Sequence, residues 1–203
     1  MRFPLRRVLK KGFGLRTLSA SPRVKVRMRR LIPAFVVPVF VLLFCGPTAL
    51  ALDVDIGHAP IEVYFSPNNG ATDAIVREID RARSEILVQA YSFTSAPIAK
   101  ALLKAHRRGV KVRAILDKSQ KTQKYSSASF LTNSGIPTYI DDKHAIAHNK
   151  IILIDRAVVI TGSFNFTKAA EEKNAENLLI IRSQELAKPY LENWQRHRDH
   201  SVG

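Results

Sequence analysis

Four side chains able to handle a phosphate fall within one stretch of the 203-residue chain: His148, Lys150, Ser163 and Asn165. An imidazole can attack phosphorus or move a proton. An ammonium, a hydroxyl and a carboxamide can donate to non-bridging oxygens. Residues 151–154, Ile-Ile-Leu-Ile, form a β-branched and leucine run that predicts a buried strand. Side chains alternate along a strand, so His148 and Lys150 share a face at its mouth, while Asp155, at odd spacing, faces away. A turn at Asp155-Arg156 and a second apolar run over residues 157–160 then deliver Gly162, Ser163 and Asn165 into a loop.

Elements must position this stretch, and the chain before it alternates strand and helix patterns. Residues 61–65 and 86–91 predict strands, and Pro67-Asn68-Asn69-Gly70 marks a loop. Thr72 or Asp73 can cap a helix whose Ile75, Ile79 and Ala82 recur at helical spacing. Ser95 precedes a second helix with Pro97 in its first turn and Ile98, Leu102 and Ala105 as its inner stripe. Gly109 ends that helix, and residues 110–116 predict a third strand. Two successive β-α-β units predict an α/β fold with a mixed, largely parallel sheet. A short strand over residues 138–140 follows, then the strand of the phosphate-handling stretch from about Ala147, then a strand over residues 177–182. From Gln184 a helix places Leu186, Tyr190 and Trp194 on a core-facing stripe, with Pro189 kinking it or marking its effective start. Residues 119–134 are polar and read as a solvated connector. Their functional reading is a basic wall for a nucleic-acid backbone, built from Lys118, Lys121 and Lys124 with Tyr125 and Phe130.

The net charge of +15 is concentrated at one end. Residues 1–51 hold eleven Lys or Arg and no acidic residue, which leaves +4 for the rest of the chain. That remainder is compatible with phosphodiester substrates without demonstrating them. Residues 31–52 carry no charge, follow Arg29-Arg30 and end in Ala49-Leu50-Ala51, which predicts a signal peptide cleaved after Ala51. Such a run could instead remain as a membrane anchor, although Pro33, Pro38 and Pro47 weaken a spanning helix. The long basic stretch before it makes Met28 a candidate for the true start. The one cysteine, Cys45, lies inside the apolar run, so a cleaved chain has neither disulfide nor thiolate metal site. The expected organisation is a leader over residues 1–51 and one phosphodiesterase domain over residues 52–203, periplasmic or secreted after cleavage.

The pattern His148-x-Lys150-x4-Asp155, then Gly162-Ser163-x-Asn165 after six more residues, resembles the signature of the phospholipase D superfamily. The longer string from Gly162 to Ala170, with Asn174 to Asn177, is similar to that of its small secreted bacterial endonucleases, the Nuc type. The likeness runs from Ala59 to the C-terminal helix. It implies an α-β-α sandwich and an active site in which two signature copies face each other; with one copy here, that means a homodimer. It further implies that His148 of one subunit forms a phosphohistidine while His148 of the other protonates the leaving oxygen and then activates water. Lys150, Ser163 and Asn165 would bind the phosphate, Glu176 would orient the histidine, and Asp155 belongs to the catalytic signature. No cofactor and no metal is implied. The implied substrate is DNA, and RNA beside it, with a phospholipid headgroup as the alternative and a non-catalytic nucleic-acid binder as a third reading.

A competing metal site is available in Asp141, Asp142, His144 and His148, against which stand Lys143 and Lys150 and the absence of a helical histidine pair. His144 alone reads as a loop residue. His58 falls just before the likeness begins at Ala59, and His106, His197 and His200 read as solvated helix or tail positions.

Overall fold

The computed structural model describes residues 52–123 and 126–203. The leader, its cleavage after Ala51 and the start at Met28 therefore lie outside the described residues, as do Lys124 and Tyr125 of the basic wall. Seven strands form one sheet: β1 (Ile61–Phe65), β2 (Glu85–Ala90), β3 (Lys111–Asp117), β4 (Thr138–Asp141), β5 (Lys150–Ile154), β6 (Val158–Gly162) and β7 (Asn177–Arg182). Their spatial order is β1-β7-β6-β5-β2-β3-β4. Helices α1 (Ala71–Arg81), α2 (Ala96–Arg107), α3 (Ala128–Asn133), α4 (Lys168–Glu172) and α5 (Gln184–His200) complete the layers.

The sheet is mixed, as expected, but "largely parallel" holds only for strand direction. Five strands run one way and β5 and β7 the other, yet four of the six neighbour pairings are antiparallel and only β2-β3 and β3-β4 are parallel. The β-α-β pattern fixes that β1 and β2 point the same way. It does not reveal that β7, β6 and β5 are inserted between them.

Each sheet face buries its own core. On one side Ile86, Val88, Ile152, Ile154 and Ile160 pack with Ile75 and Ile79 of α1 and Ile98 and Leu102 of α2. On the other, Leu87, Ile115, Leu153 and Val159 meet Ala187 and Trp194 of α5. Trp194 is core, as its place on the apolar stripe predicts, and its indole donates to the Val88 carbonyl at 3.0 Å. α5 begins at Gln184, with Ser183 Oγ accepting the Leu186 N–H at 3.1 Å, and runs through Pro189 rather than starting there.

The start of α1 also departs from expectation. Its N-cap is Gly70, at φ 77°, and neither Thr72 nor Asp73 caps it. The Glu171 carboxylate does so from α4, accepting the Gly70 N–H at 3.1 Å and the Thr72 N–H at 2.7 Å. A carboxylate placed there meets both free donors and the positive end of the helix. Glu171 therefore ties α4 to the start of the first helix.

Candidate active site

The carboxyl ends of β1, β2, β3, β4 and β6 and the amino ends of β5 and β7 meet at one end of the sheet. His148, Lys150, Ser163 and Glu176 all lie at that end, the customary ligand side of an α/β sheet. The strand pairing starts at Lys150, not Ala147, because residues 147–149 are held by other contacts. Ala147 N–H donates to the buried Asp117 carboxylate at 2.7 Å, and the Asn149 carbonyl accepts from Tyr91 N–H at 2.8 Å. Asp117 also accepts the Ser119 N–H at 2.9 Å. Burial raises its pKa, but the hydrogen bonds from Ser119 and Ala147 outweigh that and keep it below the usual carboxylate range.

His148 is exposed, whereas Lys150 is buried beneath it. The Lys150 ammonium lies 2.9 Å from His148 Nδ1, 3.1 Å from Nε2 and 3.0 Å from the His148 carbonyl oxygen. An ammonium only donates, so this arrangement requires a ring nitrogen with a free lone pair. Tyr91 completes the setting, its ring centroid 4.5 Å from that of His148. Burial depresses the Lys150 pKa below the ordinary lysine value, and the negative charge of Glu176 opposes that shift only in part.

The loop after β6 supplies the rest. Gly162 has φ 147°, and a Cβ there would collide with the Asn177 backbone carbonyl, so only glycine admits this closeness. That closeness brings Ser163 Oγ to accept the Asn177 N–H at 3.0 Å while donating to Glu176 Oε2 at 2.6 Å. The other Glu176 oxygen accepts from Asn174 Nδ2 at 3.0 Å, and Ser66 Oγ accepts the Glu176 N–H at 3.1 Å. Asn165 lies between the buried Phe164 and Phe166, and its Oδ1 is buried with no hydrogen-bond partner among the described residues. Phe166 bridges to Phe93, and its carbonyl accepts from Thr94 and Ser95 N–H. This straps the Ser163–Asn165 loop to the segment that carries Tyr91.

Two residues of the expected catalytic set bond away from His148 of their own chain. Among the described hydrogen bonds, none joins Glu176 to His148 of its own chain; its partners are Ser163 and Asn174. Asp155, counted with the catalytic signature by resemblance, is at the opposite end of β5. Its carboxylate accepts the N–H groups of Arg83, Ser84 and Glu85 at 2.8, 2.8 and 2.9 Å, and the Ser84 hydroxyl at 2.7 Å. It pins the β5–β6 turn to the start of β2, with φ 52° at Asp155 itself. Burial raises its pKa, but these hydrogen bonds prevail and lower it. Its stabilising effect is therefore full above the unfolded carboxylate pKa and lost as pH falls through the folded value. Asp155→Ala should cost on the order of 3 kcal/mol by denaturant unfolding. It should leave turnover within severalfold at temperatures where the variant is folded; loss of turnover without loss of stability would restore a chemical role.

The metal alternative is rearranged. Asp141 and His144 do meet, but with His197 and His200 of α5, not with Asp142 and His148. His144 Nδ1 donates to Asp141 at 3.0 Å and His197 Nδ1 at 2.7 Å. Burial raises the Asp141 pKa, but the hydrogen bonds from His197 and His144 and the nearby His200 ring override it and hold the carboxyl far below its usual range. His197 and His200, expected in solvent, face this buried carboxylate. Tyr91, Ser66 and Asp117 carry no mark in the sequence, and Asn174 is marked there only as part of the string similar to the Nuc type. An aromatic residue directly after β2, the neighbour of β5, was the one available signal among them.

The family described as cardiolipin synthase, PLD-like domain, matches residues 75–198. The chain is 47% identical over 140 residues to a phospholipase D of Rickettsia conorii, covering 69% of this chain and 70% of that one. It is 33% identical over 122 residues to the mitochondrial cardiolipin hydrolase of Mus musculus, covering 60% of this chain and 55% of that protein. The crystal structure of Nuc, a phospholipase D family member from Salmonella typhimurium, superposes with a TM-score of 0.67 at 41% identity. That match covers 70% of this chain and 96% of Nuc. With the sandwich, the His148–Lys150 pair and the Gly162–Asn165 loop in place, the chain belongs to the phospholipase D superfamily and is a phosphodiester hydrolase.

Proposed function

We propose that the chain is an exported, non-specific endonuclease that cuts DNA, and RNA beside it, through a phosphohistidine, at a site completed by a second copy of itself. The observation that carries this is the exposed His148 imidazole with the buried Lys150 ammonium 2.9 and 3.1 Å from its nitrogens. The ammonium needs a ring lone pair to donate to, the same lone pair a nucleophilic imidazole uses, and it can turn to a non-bridging oxygen when a phosphate arrives. His148 attacks phosphorus; Lys150, Ser163 and the Asn165 amide neutralise the charge that develops on the oxygens. His148 of the second copy gives a proton to the leaving oxygen and then takes one from the attacking water. Side chains alone thus supply nucleophile, acid and charge stabilisation, so no metal ion is assigned to the chemistry. Export rests on the leader read over residues 1–51.

The requirement for a second copy has structural support. α5 covers the central strands of one sheet face and leaves its β1 edge bare, where Ile61, Val63 and Phe65 are 47%, 51% and 61% exposed. Phe65 pairs with Asn177, whose N–H donates to Ser163, so the apolar stripe runs up to the rim of the site. A face of this kind on a domain with half a two-histidine site fits a symmetric contact. Glu176, which does not bond its own His148, would then orient the ring of the other copy. Val63→Glu with Phe65→Glu should give a folded monomer with activity reduced at least about 100-fold. Light scattering alongside a nuclease assay checks this, and an active monomer would refute the two-copy site.

A phospholipid substrate is the second reading, favoured by the Rickettsia phospholipase D and the mouse cardiolipin hydrolase among the relatives. The chemistry is common to both. Offering plasmid DNA, RNA and cardiolipin-containing vesicles side by side, in excess chelator, separates them. Plasmid nicking supports the nuclease, headgroup release alone supports the lipase, and failure on all three overturns the site assignment.

A further inference from the structure

We propose that Asp141, His144, His197 and His200 form a binding site for one Zn²⁺ ion, separate from the phosphate-handling residues. The four side chains come from three places: the end of β4, the loop after it, and the last turns of α5 at i and i+3. One ligand atom from each lies within 4.8 Å of all the others. Asp141 Oδ2 is 3.0, 2.7 and 3.4 Å from His144 Nδ1, His197 Nδ1 and His200 Nε2. Ligands about 2.0–2.1 Å from a tetrahedral ion are about 3.3–3.4 Å apart, so only small shifts are needed to close around one.

A simple ion pair does not account for the cluster. Three imidazoles, with centroids 4.9, 5.1 and 5.3 Å apart, crowd a single fully buried carboxylate. His200 Nε2 is itself buried, points into the group and makes no hydrogen bond. Such an orphaned nitrogen costs free energy unless something accepts its lone pair or its proton. A divalent ion does so for all four groups at once. Three imidazoles and one carboxylate suit Zn²⁺ among the common divalent ions, and four protein ligands make a closed, structural site.

The backbone is already set for it. Ile140 and Val202 exchange both N–H···O bonds, at 2.7 and 3.0 Å, so the end of α5 is tied to β4 beside Asp141. Lys143 and Arg196 line the same cleft and oppose a cation. Both are exposed, so solvent screens them, and the Arg196 guanidinium is turned to Asn193 at 3.2 Å. The ion would clamp the base of the 142–149 segment, which carries His148, through His144, whose carbonyl also accepts from Lys118 Nζ at 3.0 Å. It would contribute nothing at phosphorus.

The test is zinc binding by the whole chain after chelator treatment and dialysis, read without any turnover assay. One equivalent of Zn²⁺ should bind per chain. Free Zn²⁺ at about 100 times its Kd should raise the melting temperature by about 5–10 °C. Co²⁺ in its place should give the visible spectrum of a tetrahedral ion. His144→Ala, at the most exposed ligand, should keep the fold by circular dichroism and weaken binding at least about tenfold; His144→Ala with His200→Ala should abolish it. Wild-type chain that binds no more Zn²⁺ than the folded double variant, or that binds it without a shift in melting, would overturn the proposal.

Discussion

His148→Ala should abolish phosphodiester cleavage, lowering the rate by about 10⁴-fold or more, while unfolding stays within about 0.5 kcal/mol of the parent chain. The kinetic loss is large because one substitution in a two-copy site removes both the nucleophile and the acid that protonates the leaving group. The stability loss is small because the ring is exposed; its contacts are the face of Tyr91 and the Lys150 ammonium. A steady-state assay paired with denaturant unfolding reads both. Mixing offers a sharper check. If subunits reassort, an equal mixture of parent and variant should retain roughly a quarter of the activity of an all-parent sample, since only parent–parent dimers keep both rings. Retention of half would mean that each chain works alone, and full activity in the variant would end the assignment of His148 altogether.

The parts of this site that lie close in sequence were legible from the sequence. The isoleucine-rich run announced β5, and its two-residue period put His148 and Lys150 on one face. Gly162, Ser163 and Asn165 declared a loop that now proves to depend on glycine at its first position. Contacts made across the chain were not legible. Asp155 could be seen to face away, but its partners at Arg83, Ser84 and Glu85 lie some seventy residues upstream. Glu171 caps α1 from about a hundred residues away. The histidines of α5 were hidden for a related reason. Helical periodicity located the apolar stripe of Leu186, Tyr190 and Trp194, but it cannot say what a neighbouring stripe will meet. The packing of Trp194 on the sheet and the bridge between Ile140 and Val202 bring His197 and His200 to Asp141. Sheet order failed likewise: local patterns gave direction, whereas neighbours are decided by where the whole chain can bury its faces.

Lys150→Met should abolish turnover and, at neutral pH, make the fold more stable. Lys150 is buried beneath His148 at the mouth of the site, and burial depresses its pKa, with Glu176 recovering only part. A lysine whose pKa is lower in the folded state binds fewer protons there than in the unfolded chain between the two values. Stability must then rise with pH across that window, and below it the charged amine is a constant cost to folding. Methionine fills a similar volume without the charge, so it removes the cost and keeps the packing. It also removes the cation that donates to the His148 ring and meets the phosphate oxygens, so cleavage should fall by at least about 100-fold. The parent chain should lose activity on the alkaline side at a pH below the ordinary lysine value of about 10.4, as Lys150 gives up its proton. Unfolding curves across that range should converge: the parent gains stability with rising pH and the methionine variant does not. A variant that is less stable than the parent at neutral pH would show that the ammonium is satisfied by its contacts with His148, and that no strain is stored at this position for catalysis.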